Sequence, residues 1–176
     1  MLLDMDSSDR VFLDYSARKL RQLCGRIEDC LGRLSEEQIW LRGTENDNAV
    51  GNLVLHLSGN VRQWIVAGVG GQLDIRQRDA EFAARSGLAA AGLAAQLRGV
   101  VEEAAGIVET LAPERLCEPL VVQGYNVTVL EAIYSVVEHF SGHTGQIIYT
   151  TKLLTGEDLG YHRYLQTTAA HTEQMP

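Results

Sequence analysis

The chain has few of the residues that break helices, form disulfides or hold phosphate. Proline and cysteine occur three times each in 176 residues, and 15 basic side chains stand against 23 acidic ones, a formal charge of -8. Scarce proline leaves long segments free to stay helical. Cys24, Cys30 and Cys117 are odd in number and lack C-x-x-C spacing, which argues against a secreted disulfide scaffold and a cysteine-rich zinc knuckle. Cys24 and Cys30, six residues apart, fall on different faces of a helix and read as reduced, packed thiols. The acidic balance, with no basic stripe, repels phosphate backbones and anionic surfaces, so neither a nucleic acid nor a membrane is an expected partner. No apolar run of about 18 residues is present to span a bilayer. Residues 1–10 carry Asp4, Asp6 and Asp9 and lack a basic start followed by an apolar run, unlike a signal peptide. The expectation is a single domain over 1–176 in a reducing, cytoplasmic setting, large enough to build a core without disulfides or a structural metal.

What is present is helical periodicity. Leu20, Leu23, Ile27, Cys30, Leu31 and Leu34 recur every three or four residues, predicting a first helix over about 9–34. A polar segment with Thr44, Asn46, Asp47 and Asn48 offers caps for a second helix, which runs to about Ala67 and stops in Gly68, Gly70 and Gly71. A charged stretch with Asp74, Arg76, Arg78, Asp79 and Glu81 precedes an alanine-rich third helix over 88–111, closed by Pro113. The valine-rich piece 118–129, with Gly124 and Asn126 at its middle, predicts a short hairpin. A fourth helix then runs from near Thr128 to about Thr155, where Gly156 stops it. Four amphipathic helices of similar length bury their stripes best as an all-α four-helix bundle. The first connection is the shortest, which predicts that helices one and two are antiparallel neighbours and that a later link crosses over. The end, 162–176, is polar and reads as a flexible tail.

Candidate chemistry lies in the histidines. His139 and His143 are four apart in the fourth helix, so two imidazoles stack on one face and can offer two nitrogens to one ion. They share a strip with Ala132, Ser135, Gln146 and Thr150 that has no charge, whereas Glu138 falls on a flank. That strip reads as the lining of an inward polar cavity, and Gly142 and Gly145 either leave room for a ligand or serve close helix packing. On the second helix Asn52, His56, Asn60 and Gln63 form a matching strip. Spacing alone leaves it open whether His56 faces solvent, sits satisfied in the core or meets His139. Other metal patterns are absent. Phe140 follows His139 where a zinc-protease helix needs glutamate, Ser135 stands where the inverted motif needs histidine, and no E-x-x-H spacing for a di-iron bundle occurs. No carboxylate lies beside the histidine strips to act as general base.

The segments Gly51-Asn52-Leu53-Val54-Leu55-His56-Leu57-Ser58-Gly59-Asn60 and Glu138-His139-Phe140-Ser141-Gly142-His143-Thr144-Gly145-Gln146 resemble those of the DinB-like proteins, a family that includes YfiT-like metal-dependent hydrolases and thiol-dependent transferases. The resemblance extends over about 13–159. It implies a four-helix bundle of the DinB/YfiT-like type with a long crossover connection, and a metal site formed by His56, His139 and His143. Three neutral imidazoles leave a divalent ion its full charge and a position open. The implied cofactors are a divalent ion, zinc or nickel first, and a low-molecular-weight thiol. The implied function is activation of that thiol for transfer to a small-molecule substrate. Hydrolysis by metal-activated water and a non-enzymatic metal-dependent sensor or ligand-binding dimer are the alternatives. Asn52, Asn60 and Gln146 are candidate contacts to substrate or to the outer side of the ligands. A homodimer is expected from the apolar flanks at Tyr134 and Tyr149.

Overall fold

A computed structural model of the protein describes residues 8–161 and 163. The elements in order are α1 (Ser8–Leu31), α2 (Glu36–Trp40), α3 (Val50–Val61), which continues as a π-helical segment (Arg62–Val69), α4 (Arg78–Ala83), α5 (Ala90–Thr110), a 3-10 turn (Pro113–Cys117), β1 (Pro119–Val122), β2 (Tyr125–Thr128) and α6 (Val129–Thr155). The fold is all-α, with α1, α3, α5 and α6 as the four long members of the bundle.

Their apolar stripes meet in one core. Leu13, Leu20 and Ile27 of α1, Leu57 and Ile65 of the second long helix, Leu93 and Leu97 of α5, and Ile133, Phe140 and Ile147 of α6 are fully enclosed. The helix stripes are therefore real burial surfaces, each such side chain contributing roughly 1.5–3 kcal/mol by leaving water. The helix ends follow local chemistry. Thr128 caps α6 by accepting from the Glu131 N–H at 3.2 Å, while the Glu131 carboxylate accepts from the Thr128 N–H at 2.7 Å. Gly156, at φ 71, ends the same helix in the left-handed conformation. The hairpin also forms where valine and glycine predict it. β1 and β2 pair antiparallel with Val122 opposite Tyr125, and both turn residues, Gln123 and Gly124, have positive φ, as a tight hairpin requires.

Three expectations are corrected. The first two long helices are not neighbours: α1 packs on α5 and α6, and α3 packs on the same two, so α1 and α3 lie diagonally across the bundle. The connection between them is longer than the periodicity implied, because α1 ends at Leu31 and α2, capped by Ser35, covers α3 from within the link. α3 is also not capped by the polar run before it. Its N-cap is Ala49, whose N–H is taken by the Asn52 side chain at 3.2 Å. The second helix, finally, passes through Gly68 to Val69 in the wider π form, and of Gly68, Gly70 and Gly71 only the last takes positive φ. Side chains placed by that widened turn point differently from those of an α-helix.

The link from α5 to α6 joins the other diagonal pair and carries the hairpin, whose β1 packs on the π-helical segment. Cys24 and Cys30 are free and buried, and Cys117 is free and exposed. Both inner thiols are covered although they face different ways, since Cys24 lies beside Glu28 toward α5 and Cys30 beside Tyr161 toward α6. Among the described residues no helix is long and apolar enough to cross a membrane. The expected tail falls outside the described residues except for Arg163, and His162 and His171 fall there too.

Candidate metal centre

His56 comes from the buried side of α3, and His139 and His143 from one face of α6. These helices pack against each other, and their packing brings the three imidazoles together. One ring nitrogen from each lies within 4.8 Å of the others. His56 Nε2 and His139 Nε2 are 2.9 Å apart, and the ring centroids of His139 and His143 are 4.5 Å apart. His56 is buried and the other two are half-buried, so the group is neither in bulk solvent nor sealed in the core.

The outer nitrogens of two rings are held by oxygen. Nδ1–H of His143 donates to Gln146 Oε1 at 2.7 Å, and Nδ1–H of His56 donates to Glu81 Oε2 at 3.1 Å. Each bond selects the tautomer whose Nε2 lone pair is free. Arg76 Nη2 also approaches His56 Nδ1 at 3.0 Å, but a guanidinium can only donate, so the consistent assignment gives that N–H to Glu81 Oε2 at 2.8 Å. Arg76 Nε donates to Glu81 Oε1 at 2.8 Å, and Nη1 to Gln63 Oε1 at 2.9 Å. The Arg76 side chain is only 2% exposed, so Arg76 and Glu81 form a nearly enclosed pair behind His56.

Electrostatics keep the cluster in a ligating state. Burial, helped by the neighbouring His143, His56, Arg76 and Arg78, pushes His139 down to about 4. Burial also lowers His143, against the opposing bond to Gln146. Both rings are therefore neutral near pH 7 with lone pairs available. Burial by itself would raise the Glu81 carboxyl, but the Arg76 guanidinium and the His56 ring outweigh it and hold Glu81 below the usual carboxylate range. The donor set is thus three imidazoles, two of them with an anchored outer nitrogen, the arrangement that metal-bound histidines adopt. The residues present fit a divalent ion.

Glu81 and Arg76 are the residues that sequence reasoning missed. The expectation that no carboxylate stands beside the histidines is overturned, because the charged excursion between the second and third long helices folds back over α3. Asn52 makes this happen. It is fully buried, and its Nδ2 donates to the backbone oxygens of Glu81 and Ala84, each at 2.9 Å. Arg42 Nη2 donates to Asn52 Oδ1 at 2.7 Å and to Phe82 O at 2.8 Å. Asn52 therefore acts on the site by positioning Glu81. The fit is close: a Cβ on Gly59 would lie 1.9 Å from Glu81 Oε1. The available signal was a buried polar strip on α3 facing the most charged loop of the chain, since buried amides and imidazoles need partners.

Asn60 lines a cavity beside His56 and His139, together with Ser135. Glu138, expected on a flank away from the histidines, lies on the rim of the same cavity. Gln146 is exposed, does not line that cavity, and holds His143. Gly142 and Gly145 face outward, with nothing within 4 Å of an added Cβ, so they neither widen the site nor serve close packing.

A family model described as a protein of unknown function (DUF1572) matches residues 7–164. A solved structure described as the conserved protein of locus from Enterococcus faecalis superposes with a TM-score of 0.69 at 17% identity, over 81% of this chain and 96% of that one. That likeness is one of fold. No curated protein matches the chain.

Proposed function

The chain belongs to the DUF1572 family, whose function is unknown, and we propose that it is a metal-dependent protein of the DinB-like type, binding one divalent ion through His56, His139 and His143. The observation that carries this is the meeting of three imidazoles from two helices, with Glu81 and Gln146 holding the outer nitrogens of two of them. Zinc and nickel suit such a nitrogen site. When bound, the ion would act as a Lewis acid that lowers the pKa of a thiol or water in its open position.

Thiol activation for transfer to a small molecule is the preferred reaction. The reason is the state of Glu81, whose two oxygens are occupied by Arg76 and His56, so it orients a ring and is not free to take a proton from substrate. Coordination of a thiol needs no such base. Hydrolysis is a second reading, favoured by Glu138 on the cavity rim. A homodimer joined through the face of α6 that exposes Tyr134 and Tyr149 belongs to the same proposal.

The test is elemental analysis of the protein reloaded with zinc, nickel or manganese. One ion per chain is expected, lost in His139→Ala with helical content retained. No ion in either protein rejects the site. With cobalt loaded, added thiols should produce a sulfur-to-metal absorption band, and turnover with electrophilic acceptors separates a transferase from a sensor. A Glu138→Gln variant that abolishes ester hydrolysis without affecting thiol binding would favour the hydrolase.

A further inference from the structure

The cavity beside the cluster has a volume of about 290 Å³, the lower end of what small-molecule sites offer. His56 and His139 form one side of it, and Asn60, Trp64 and Gln123 line it as well. Two polar atoms of these lining residues have no partner among the described residues, the indole Nε1 of Trp64 and Oδ1 of Asn60, and both are shielded from solvent. Trp64 as a whole is 9% exposed. A buried donor and a buried acceptor left unmatched destabilise the fold, and such groups in native proteins call for an explanation.

The local backbone supports a functional one. Asn60 and Trp64 are one turn apart, and the switch from α to π helix at Arg62 falls between them. π-helical turns recur at functional sites because they redirect side chains that a regular helix would place elsewhere. The buried charges near the cavity, in contrast, are already engaged. Arg76 gives its N–H groups to Glu81 and Gln63, and the Arg78 guanidinium lies over the Phe82 ring, 5.0 Å from its centroid. With Glu138 on the rim offsetting the exposed Arg78 and the Asn60 oxygen inside, the cavity holds, among the described residues, no buried unpaired cation to fix a carboxylate.

We propose that Asn60 and Trp64 form the recognition subsite for a small neutral substrate whose polar head both accepts and donates a hydrogen bond, as a primary amide does. The Trp64 N–H donates to the head, and the Asn60 oxygen accepts from it. The rest of the molecule extends toward the three histidines. As the substrate subsite of a metal centre this rests on the reading above, but recognition itself needs no metal and is tested without one.

The probes are acetamide and acetate, which share a shape and differ in charge and in the donor. They are titrated into metal-free, 15N-labelled protein while the two tryptophan indole signals are followed, with Trp64→Phe assigning the signal of Trp64. Acetamide should shift the Trp64 signal saturably and leave that of Trp40 in place, and acetate should need at least tenfold more. Asn60→Leu should weaken the amide response at least tenfold, and Asn60→Asp, which keeps an acceptor, should retain it. If Asn60→Leu does not fold, Asn60→Ala decides the point. Equal binding of acetate, an unmoved Trp64 signal, or an undiminished response in the Leu or Ala variant overturns the subsite. Failure of metal loading with the amide response intact overturns the metal centre alone.

Discussion

Replacing Gly59 by alanine isolates the contact between the carboxylate and His56. In an ordinary helix the change stabilises by about 1 kcal/mol, since alanine is the better helix former. Here the new methyl would lie 1.9 Å from Glu81 Oε1 and 3.0 Å from Arg76 Nε. The carboxylate must retreat by about 1.5 Å to reach ordinary contact. That retreat breaks the 2.8 Å bond from Arg76 Nε and pulls Glu81 away from His56 Nδ1. Charge-assisted bonds contribute roughly 1.5–3 kcal/mol each, so with two of them lost and the helix gain subtracted the variant should be less stable by about 2–5 kcal/mol. For a chain of this size that lowers Tm by about 2–4 °C per kcal/mol. Zinc affinity should fall by about 10–100-fold, the usual effect of losing the partner that orients a metal-bound histidine. Thermal melts and competition with a chromophoric chelator measure both. Gly142→Ala is the control, because nothing lies within 4 Å of its added Cβ. It should raise stability by about 0.5–1 kcal/mol and leave zinc affinity unchanged. A Gly59→Ala protein that melts higher and binds zinc as tightly as wild type would refute the role given to Glu81.

Removing one member of the enclosed Arg76–Glu81 pair strands the other's charge, so Arg76→Met and Glu81→Gln should each cost roughly 3–5 kcal/mol in urea unfolding. The double variant should lose far less than the sum, and strict additivity would contradict the pairing. In metal-free protein His139 has its pKa pushed below the unfolded value of 6.5 to about 4. The folded state therefore binds fewer protons there, so the contribution is complete above about pH 6.5 and is lost as pH falls toward 4. The Tm difference between wild type and His139→Gln should shrink across that window, and a difference constant with pH would count against it. Burial beside Glu28 pushes Cys24 up to about 12, burial raises Cys30, and Cys117 is exposed. One thiol per native chain should react rapidly with a disulfide reagent at pH 8, and Cys117→Ser should abolish that reaction.

Much of the architecture was legible because helix formation and its stops are local. Leucines every three or four residues, the Thr128 cap, Gly156 and the Gly124 turn act within a few residues of themselves, so their consequences can be read along the chain. The i, i+4 pair His139 and His143 is local in the same sense. Which helices would be neighbours was not readable, since it depends on where links such as 32–49 run across the bundle. The meeting of His56 with His139, 83 residues later, is a product of α3 packing on α6. The burial of Arg76 and Glu81 is another, because a charged loop reads as solvated until Asn52 draws its backbone onto a helix. Composition and periodicity settled that the protein would be a helical bundle. Packing alone decided which polar groups left water together, because the desolvation that makes an imidazole neutral or a carboxylate structural is set by neighbours distant in sequence.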